Sequence, residues 1–382
     1  MKTDRRSLFT LSLAIFSMFF GAGNAIFPII LGATSQSQVG WAFTGLFITA
    51  IGGPLLGLLG ATLFHGRCIE FFNRAGKIPG ALLIFVSLAL LGPFAVIPRC
   101  VTVAYVAFEP IFPSTPMWLF ALTICGLSLF CCWKKRFLLP LLGKILSPLL
   151  ILSLLALIYQ GVFSEVPLIE NTMGNGEAFT YGLKTGYDTM DLVAAIYFSA
   201  GIWILLERFN FKSDKEVVAM TLSSGTCACI ILAFIYMGLS FTAAKYSLAL
   251  EGIPPEKLMT HLAYLMLGPK LGLIANMAIG LACFTTIISL TMTLAQVISR
   301  DIFPQLSYRG AIAGILCITA LMSNVGFSMI MQLLDSALWI GYPAIIVLTL
   351  YNIASKLRKP ALYIFNSEEG KVSNVIMKGG NT

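Results

Sequence analysis

Gly21-Ala22-Gly23-Asn24 stands inside a stretch, Ser7 to Phe64, that contains no Asp, Glu, Lys or Arg. Two glycines separated by one residue let the backbone leave helical geometry at little steric cost. A helix that restarts there presents unbonded N–H groups and the positive end of its dipole, which suit an anionic group such as a carboxylate. The carbonyls ending the preceding segment, around Ser17 and Phe20, point the other way and suit a small cation. Further along, Ala282, Thr285 and Thr286 are spaced three and four residues apart and share one helix face. Their two hydroxyls and carbonyl form an oxygen set of the kind that hard cations prefer. Each pattern has a plainer reading. Small residues also let helices pack closely, and threonines in apolar helices commonly bond their own backbone one turn back. A dinucleotide-binding loop is excluded, because position 26 is Ile where that motif needs Gly.

The elements that must position these residues follow from composition. The chain has 382 residues, is 58% hydrophobic and 11% charged, and has a mean hydropathy of +0.88. Soluble domains carry roughly 25% charged residues, so this is an all-α polytopic membrane protein. Its net charge of +8 sits in short clusters between apolar runs, which reads as membrane orientation and not as a nucleic-acid face. Cys100, Cys125, Cys227, Cys229, Cys283 and Cys317 lie within apolar stretches, and no pair has metal-site spacing with histidines. Lys2, Arg5 and Arg6 before Leu8 to Ile30 resemble the start of a signal peptide. No polar exported domain follows, so a first span is the better reading.

A helix needs about 20 residues to cross the hydrocarbon layer. On that basis the apolar runs define ten spans: Leu8 to Leu31, Trp41 to Phe64, Gly80 to Ala107, Pro116 to Trp133 and Leu138 to Gln160, then Asp188 to Leu206, Val217 to Ala244, Leu271 to Ser299, Gly310 to Ser323 and Gly326 to Ala354. Basic residues fall in alternate loops. With a cytoplasmic N-terminus the inner segments hold Arg67, Arg74 and Lys77, then Lys134, Lys135 and Arg136, then Arg208, Lys212 and Lys215, then Arg300 and Arg309, and finally Lys356, Arg358 and Lys359. The opposite loops hold Lys184, Lys245, Lys257 and Lys270. That distribution obeys the positive-inside rule.

Five spans plus five implies two halves of opposite orientation, with repeat 1 at about 8–160, repeat 2 at about 188–354, one membrane domain over 1–360 and a polar tail over 361–382. In such inverted repeats the first helix of each half is often discontinuous, with the binding site at the breaks. The first break is Gly21 to Asn24, and Phe198-Ser199-Ala200-Gly201 is the expected counterpart in the sixth span. Among the charges inside spans, Arg99 and Lys144 are expected to snorkel toward the interfaces. Asp335 lies about nine residues into its span, at a depth that suits a proton or cation relay or a paired structural carboxylate.

The residues resemble a known family, the bacterial branched-chain amino acid:cation symporters, which are related to carriers of the leucine-transporter fold. The resemblance rests on Gly21-Ala22-Gly23-Asn24 with Ile26-Phe27-Pro28, Gly92-Pro93 with Pro98-Arg99, Gly143-Lys144-Ile145-Leu146 with Pro148, and Gly186-Tyr187 with Thr189-Met190-Asp191. Ala282-Cys283 with Thr285-Thr286, Ser323-Asn324 with Gly326, and Tyr342-Pro343 complete it. It implies a five-plus-five bundle with discontinuous helices 1 and 6, in the bacterial inner membrane with both termini cytoplasmic. It also implies uptake of leucine, isoleucine and valine coupled to sodium or protons, with no covalent cofactor. Substrate contacts are implied at Ala22, Gly23, Asn24, Phe198, Ser199 and Thr286, and sodium at Ser17, Phe20, Ala282, Thr285 and Thr286. The chain departs from the family in Cys100 to Val106, in Ser199 where Gly is usual, in Asp188 and Asp335 where apolar residues are usual, and in the two further helices usual after the tenth. Another neutral amino acid as substrate, or a channel or nontransporting sensor, are the alternatives. A membrane enzyme is disfavoured because His65 and His261 fall on opposite sides.

Overall fold

The computed structural model describes residues 5–133, 147–207 and 214–358. Helices account for nearly all of them, and no strand occurs among the described residues. The first span is α1 (Arg5–Phe19) and α2 (Ala22–Ser35). The second is α3 (Val39–Leu46) and α4 (Gly53–Thr62), joined through a wide turn at Phe47–Gly52. That widening has a cause: Pro54 has no N–H to offer the carbonyl of Ala50, and a π-type turn absorbs the mismatch. After a short α5 (Cys68–Asn73), the third span is α6 (Lys77–Leu91) and α7 (Val96–Phe108), separated by a turn at residues 92–95. Then come α8 (Met117–Trp133) and α9 (Ser147–Val162). The start expected for the fifth span, Leu138, and Lys144 lie outside the described residues.

The second half opens with α10 (Asn175–Asp188) and α11 (Asp191–Glu207). It continues with α12 (Asp214–Lys245), a short α13 (Ser247–Leu250), α14 (Pro255–Val297), α15 (Tyr308–Met322) and α16 (Phe327–Arg358). Pairing the interrupted helices recovers the ten expected spans in order. Six helical stretches among the described residues are long and apolar enough to cross a membrane, while Leu8–Phe19, Met117–Trp133 and Pro148–Val162 are shorter apolar helices.

One boundary differs from expectation. The sixth span begins at Asn175, not near Asp188, because α10 carries Glu177, Lys184 and Asp188 and so lacks the hydropathy that marks a span. The eighth span begins where expected, near Leu271: Gly268 (φ 71°), just before Pro269, breaks α14 into two helices, and residues 255–267 form a separate segment ahead of the span.

Packing interleaves the halves. The outer pieces α2 and α10 lie against α12 and α3, α11 lies on α4, and α14 lies along α7. At the α3–α10 crossing the backbones approach so closely that a Cβ on Gly182 would collide with the Ala42 carbonyl oxygen, and one on Gly45 with that of Phe179. Small residues permit this approach, and the two interrupted spans are held in register by it.

Candidate functional site

The break between α1 and α2 has a local cause. Gly21 is extended (φ −125°, ψ −165°), and its N–H, which a continuous helix would direct to Ser17, donates instead to Asn24 Oδ1 at 3.0 Å. Asn24 thus caps its own helix by reaching back, as the third residue of a capping box does. The first turn of a helix has N–H groups with no partner inside the helix, and here the backbone of Ala22 lies within hydrogen-bond reach of the buried Cys100 thiol.

The second break lies at Thr189-Met190, and here the expectation is corrected. Phe198 to Gly201 is continuous helix, with Ser199 Oγ donating to Ile196 O at 2.6 Å. Ser199 lies about 12 Å along α11 from Asp191, at 1.5 Å per residue, and packs against the left-handed turn at Gly66, where a Cβ would stand 2.6 Å from Ala200 Cα. Small residues at 199–201 therefore serve helix packing. Phe198 and Ser199 are buried but are not brought to the junction. The chain instead turns at Met190, which adopts φ 59°, a left-handed conformation costing a non-glycine residue roughly 1–2 kcal/mol. Thr189 steadies it, donating to Gly186 O at 2.9 Å and accepting from Asp191 N at 3.4 Å.

The two breaks meet. A Cβ on Gly23 would stand 3.6 Å from Thr189 Cα, and one on Gly21 would stand 3.3 Å from Thr286 Cγ2 and 3.5 Å from Thr286 Oγ1. Asn24 Nδ2 donates to Asp191 Oδ2 at 2.6 Å and also to the Tyr236 hydroxyl, which itself donates to Asp191 Oδ2 at 3.2 Å. Asp191, at the start of α11, is buried, and its carboxylate lies at the positive end of that half-helix. Leu192 N donates to the Tyr342 hydroxyl at 3.2 Å, so α12 and α16 both complete the junction. Asp191 and Tyr236 were not singled out by role in the sequence. The signal was an acidic residue directly before a 15-residue uncharged apolar run, Leu192 to Leu206.

Of the oxygen set, Thr285 Oγ1 donates to Ala282 O at 2.7 Å and Thr286 Oγ1 to the same carbonyl at 3.0 Å. This is the back-bonded arrangement. It fixes both hydroxyl hydrogens and leaves their lone pairs as the groups that could meet a cation, while the Ala282 carbonyl is already engaged. Phe20 is buried at the break and Ser17 is half-buried on α1. Among the described residues no group of three or more His, Cys, Asp or Glu could hold a metal ion. The side chain of Asp335 lies outside the described residues.

Arg99 is a second correction. It is fully buried at 1% exposure, where an interfacial residue was expected. Its Nη1 donates to the Asp188 carbonyl at 2.8 Å and approaches Met331 Sδ at 3.3 Å, and its guanidinium stacks 5.4 Å from the Phe27 ring centroid. A cation at the carbonyl end of α10 is favoured by the half-helix dipole. Direction, not depth, decided its place: α7 turns this side chain into the bundle.

Interrupted helices that cross at a buried polar junction within a largely apolar bundle are an arrangement found in membrane transport proteins. The chain belongs to the branched-chain amino acid transport protein family, whose model matches residues 4–368. It is 26% identical over 353 residues to the branched-chain amino acid permease BraB of Bacillus subtilis, covering 90% of this chain and 79% of that protein. It is likewise 26% identical over 373 residues to a Staphylococcus aureus protein named as a candidate branched-chain amino acid carrier, covering 92% and 83%. Among solved structures, a manganese transporter of Eremococcus coleocola shares the fold, with a TM-score of 0.56 at 17% identity over 99% of this chain and 93% of that one. The protein is a carrier and not an enzyme.

Proposed function

We propose that this carrier takes up leucine, isoleucine and valine by symport with sodium, through alternating access around the junction of the two broken helices. The observation that carries the proposal is the meeting of the α2 N-terminus with Thr286 on α14 and Thr189 on the second break. The substrate carboxylate is assigned to the N–H groups of Ala22 and Gly23, with Asn24 holding the turn. The aliphatic chain packs on apolar walls, and an extra methylene changes binding by only about 1–3 kcal/mol, so three similar substrates are accepted.

Sodium is assigned to the carbonyl end of α1 at Ser17 and Phe20, with the lone pairs of Thr285 and Thr286; Ala282 orients these hydroxyls through its carbonyl. A proton is the alternative coupling ion. The family membership and the relatives' names support the substrate class, and the loop charges support a cytoplasmic N-terminus in a bacterial inner membrane. In the test, labelled leucine uptake is measured under separate inward sodium and proton gradients. Sodium should drive it, and Thr285→Ala/Thr286→Ala should abolish the sodium dependence. Uptake driven by protons alone, unchanged in the double variant, would refute the ion assignment.

A further inference from the structure

A cavity of about 420 Å³ opens between α2, α10 and α16, on the outer side in the topology that the loop charges favour. Its volume is within the range of about 300–1,000 Å³ usual for small-molecule sites. Tyr181, Lys184 and Asp188 stand on its wall at successive turns of one face of α10. The cavity therefore runs about 10 Å along α10, at 1.5 Å per residue, and ends one residue before the second break. On α2 its innermost wall residue is Phe27, and a Cβ on Gly23 would stand 3.3 Å from Phe27 Cε2. Phe27 thus touches both the cavity and the junction.

The cavity carries both signs of charge. Lys184 reaches over Trp339, with Nζ 4.6 Å from the ring centroid, and forms no salt bridge among the described residues. An aromatic face attracts a cation through its quadrupole and leaves the charge unneutralised. Asp188 stands one turn deeper, at the carbonyl end of α10, where the helix dipole favours a cation. Behind it, outside the cavity wall, Arg99 interacts with the Asp188 and Asp191 carboxylates together. Two carboxylates against one guanidinium leave a negative charge over at this end. Phe27, Ile30, Met331 and Leu338 supply an apolar wall. A cation and a carboxylate one turn apart, roughly 6 Å, beside an apolar wall match the three parts of an aliphatic amino acid.

We propose that this outer cavity is a second amino acid site, in which Lys184 binds the α-carboxylate and Asp188 the α-ammonium, with the aliphatic chain on Phe27 and Met331. This rests on the proposed amino acid uptake and adds to it a site filled ahead of the junction, built from residues that the junction does not use.

The test counts ligands and then changes them. Equilibrium dialysis of labelled leucine against purified full-length protein should give two leucines bound per wild-type protein and one per Lys184→Gln, while Lys184→Arg, which keeps the charge, should retain two. At the second site, losing one hydrogen bond to a charged group should weaken leucine roughly 10- to 100-fold. Competitors separate the two charges. Lys184→Gln should weaken 4-methylpentanoate, which lacks the ammonium, and spare leucinamide, which lacks the carboxylate; Asp188→Asn should do the reverse. If Asp188→Asn does not fold, the Lys184 variants decide alone. One leucine per wild-type protein, two or none in Lys184→Gln, or equal losses for both competitors would overturn the proposal and leave the uptake reading standing. Wild-type protein that binds no branched-chain amino acid would overturn the uptake reading, and this proposal with it.

Discussion

Asn24 holds three elements together with one side chain. Its oxygen receives Gly21 N–H and so ends α1, while its nitrogen reaches Asp191 on α11 and Tyr236 on α12. Because Asp191 Oδ2 is the common acceptor, removing that carboxylate leaves two buried donors unpaired. Asp191→Ala should therefore lower stability by about 1–3 kcal/mol, read as a fall in the unfolding temperature of the purified protein. Asp191→Asn keeps an acceptor and should fall less. Equal unfolding temperatures for wild type and Asp191→Ala would contradict the network. At Thr286 the hydroxyl and the methyl have separate jobs, since the methyl is the group nearest Gly21. Thr286→Val should fold and lose sodium-dependent stimulation of uptake, whereas Thr286→Ser should retain part of it; full stimulation in Thr286→Val would remove this hydroxyl from the ion site.

Elements were legible in the sequence to very different degrees, and the reason is local chemistry. The first break could be read because Gly21 and Gly23 lower the cost of leaving the helix. The second could not, since Thr189 and Met190 carry no such mark and the left-handed turn at Met190 is imposed by packing around it. Phe198 to Gly201 imitated a break because small residues serve helix crossings as well as turns. Likewise α10 was missed by hydropathy, because Glu177, Lys184 and Asp188 interrupt its apolar residues. Arg99 was misplaced for a related reason: sequence gives distance along a helix, but not the face that packing selects. The α3–α10 crossing yields an element-scale prediction. Gly182→Ala should be overpacked by about 1–3 kcal/mol and lower the unfolding temperature, because Ala42 backbone occupies the space. Gly176→Ala on the same helix meets nothing within 4 Å and should not. Equal behaviour of the two variants would contradict the close crossing.

For the whole molecule, the two broken spans behave as one device. Each is cut after 14 or 15 residues, at Phe19 and at Asp188, and the halves enter from opposite sides in the topology that the loop charges favour. Such an arrangement places two half-helix N-termini, at Ala22 and Asp191, beside the carbonyl ends of their partners. A zwitterion and a small cation are the ligands that this alternation of dipole ends would suit. Rocking of α1, α2, α10 and α11 against the remaining helices would open that junction first to one side and then to the other. If the junction is a sodium-coupled site, it moves branched-chain amino acids against their own gradient as sodium runs down its gradient. Purified protein reconstituted into liposomes tests it most directly, with labelled leucine outside and an inward sodium gradient imposed at equal pH. Leucine should accumulate above equilibrium, the accumulation should collapse when the sodium gradient is dissipated, and isoleucine and valine should compete with it. Leucine that merely equilibrates, or accumulates equally with and without the sodium gradient, would contradict it.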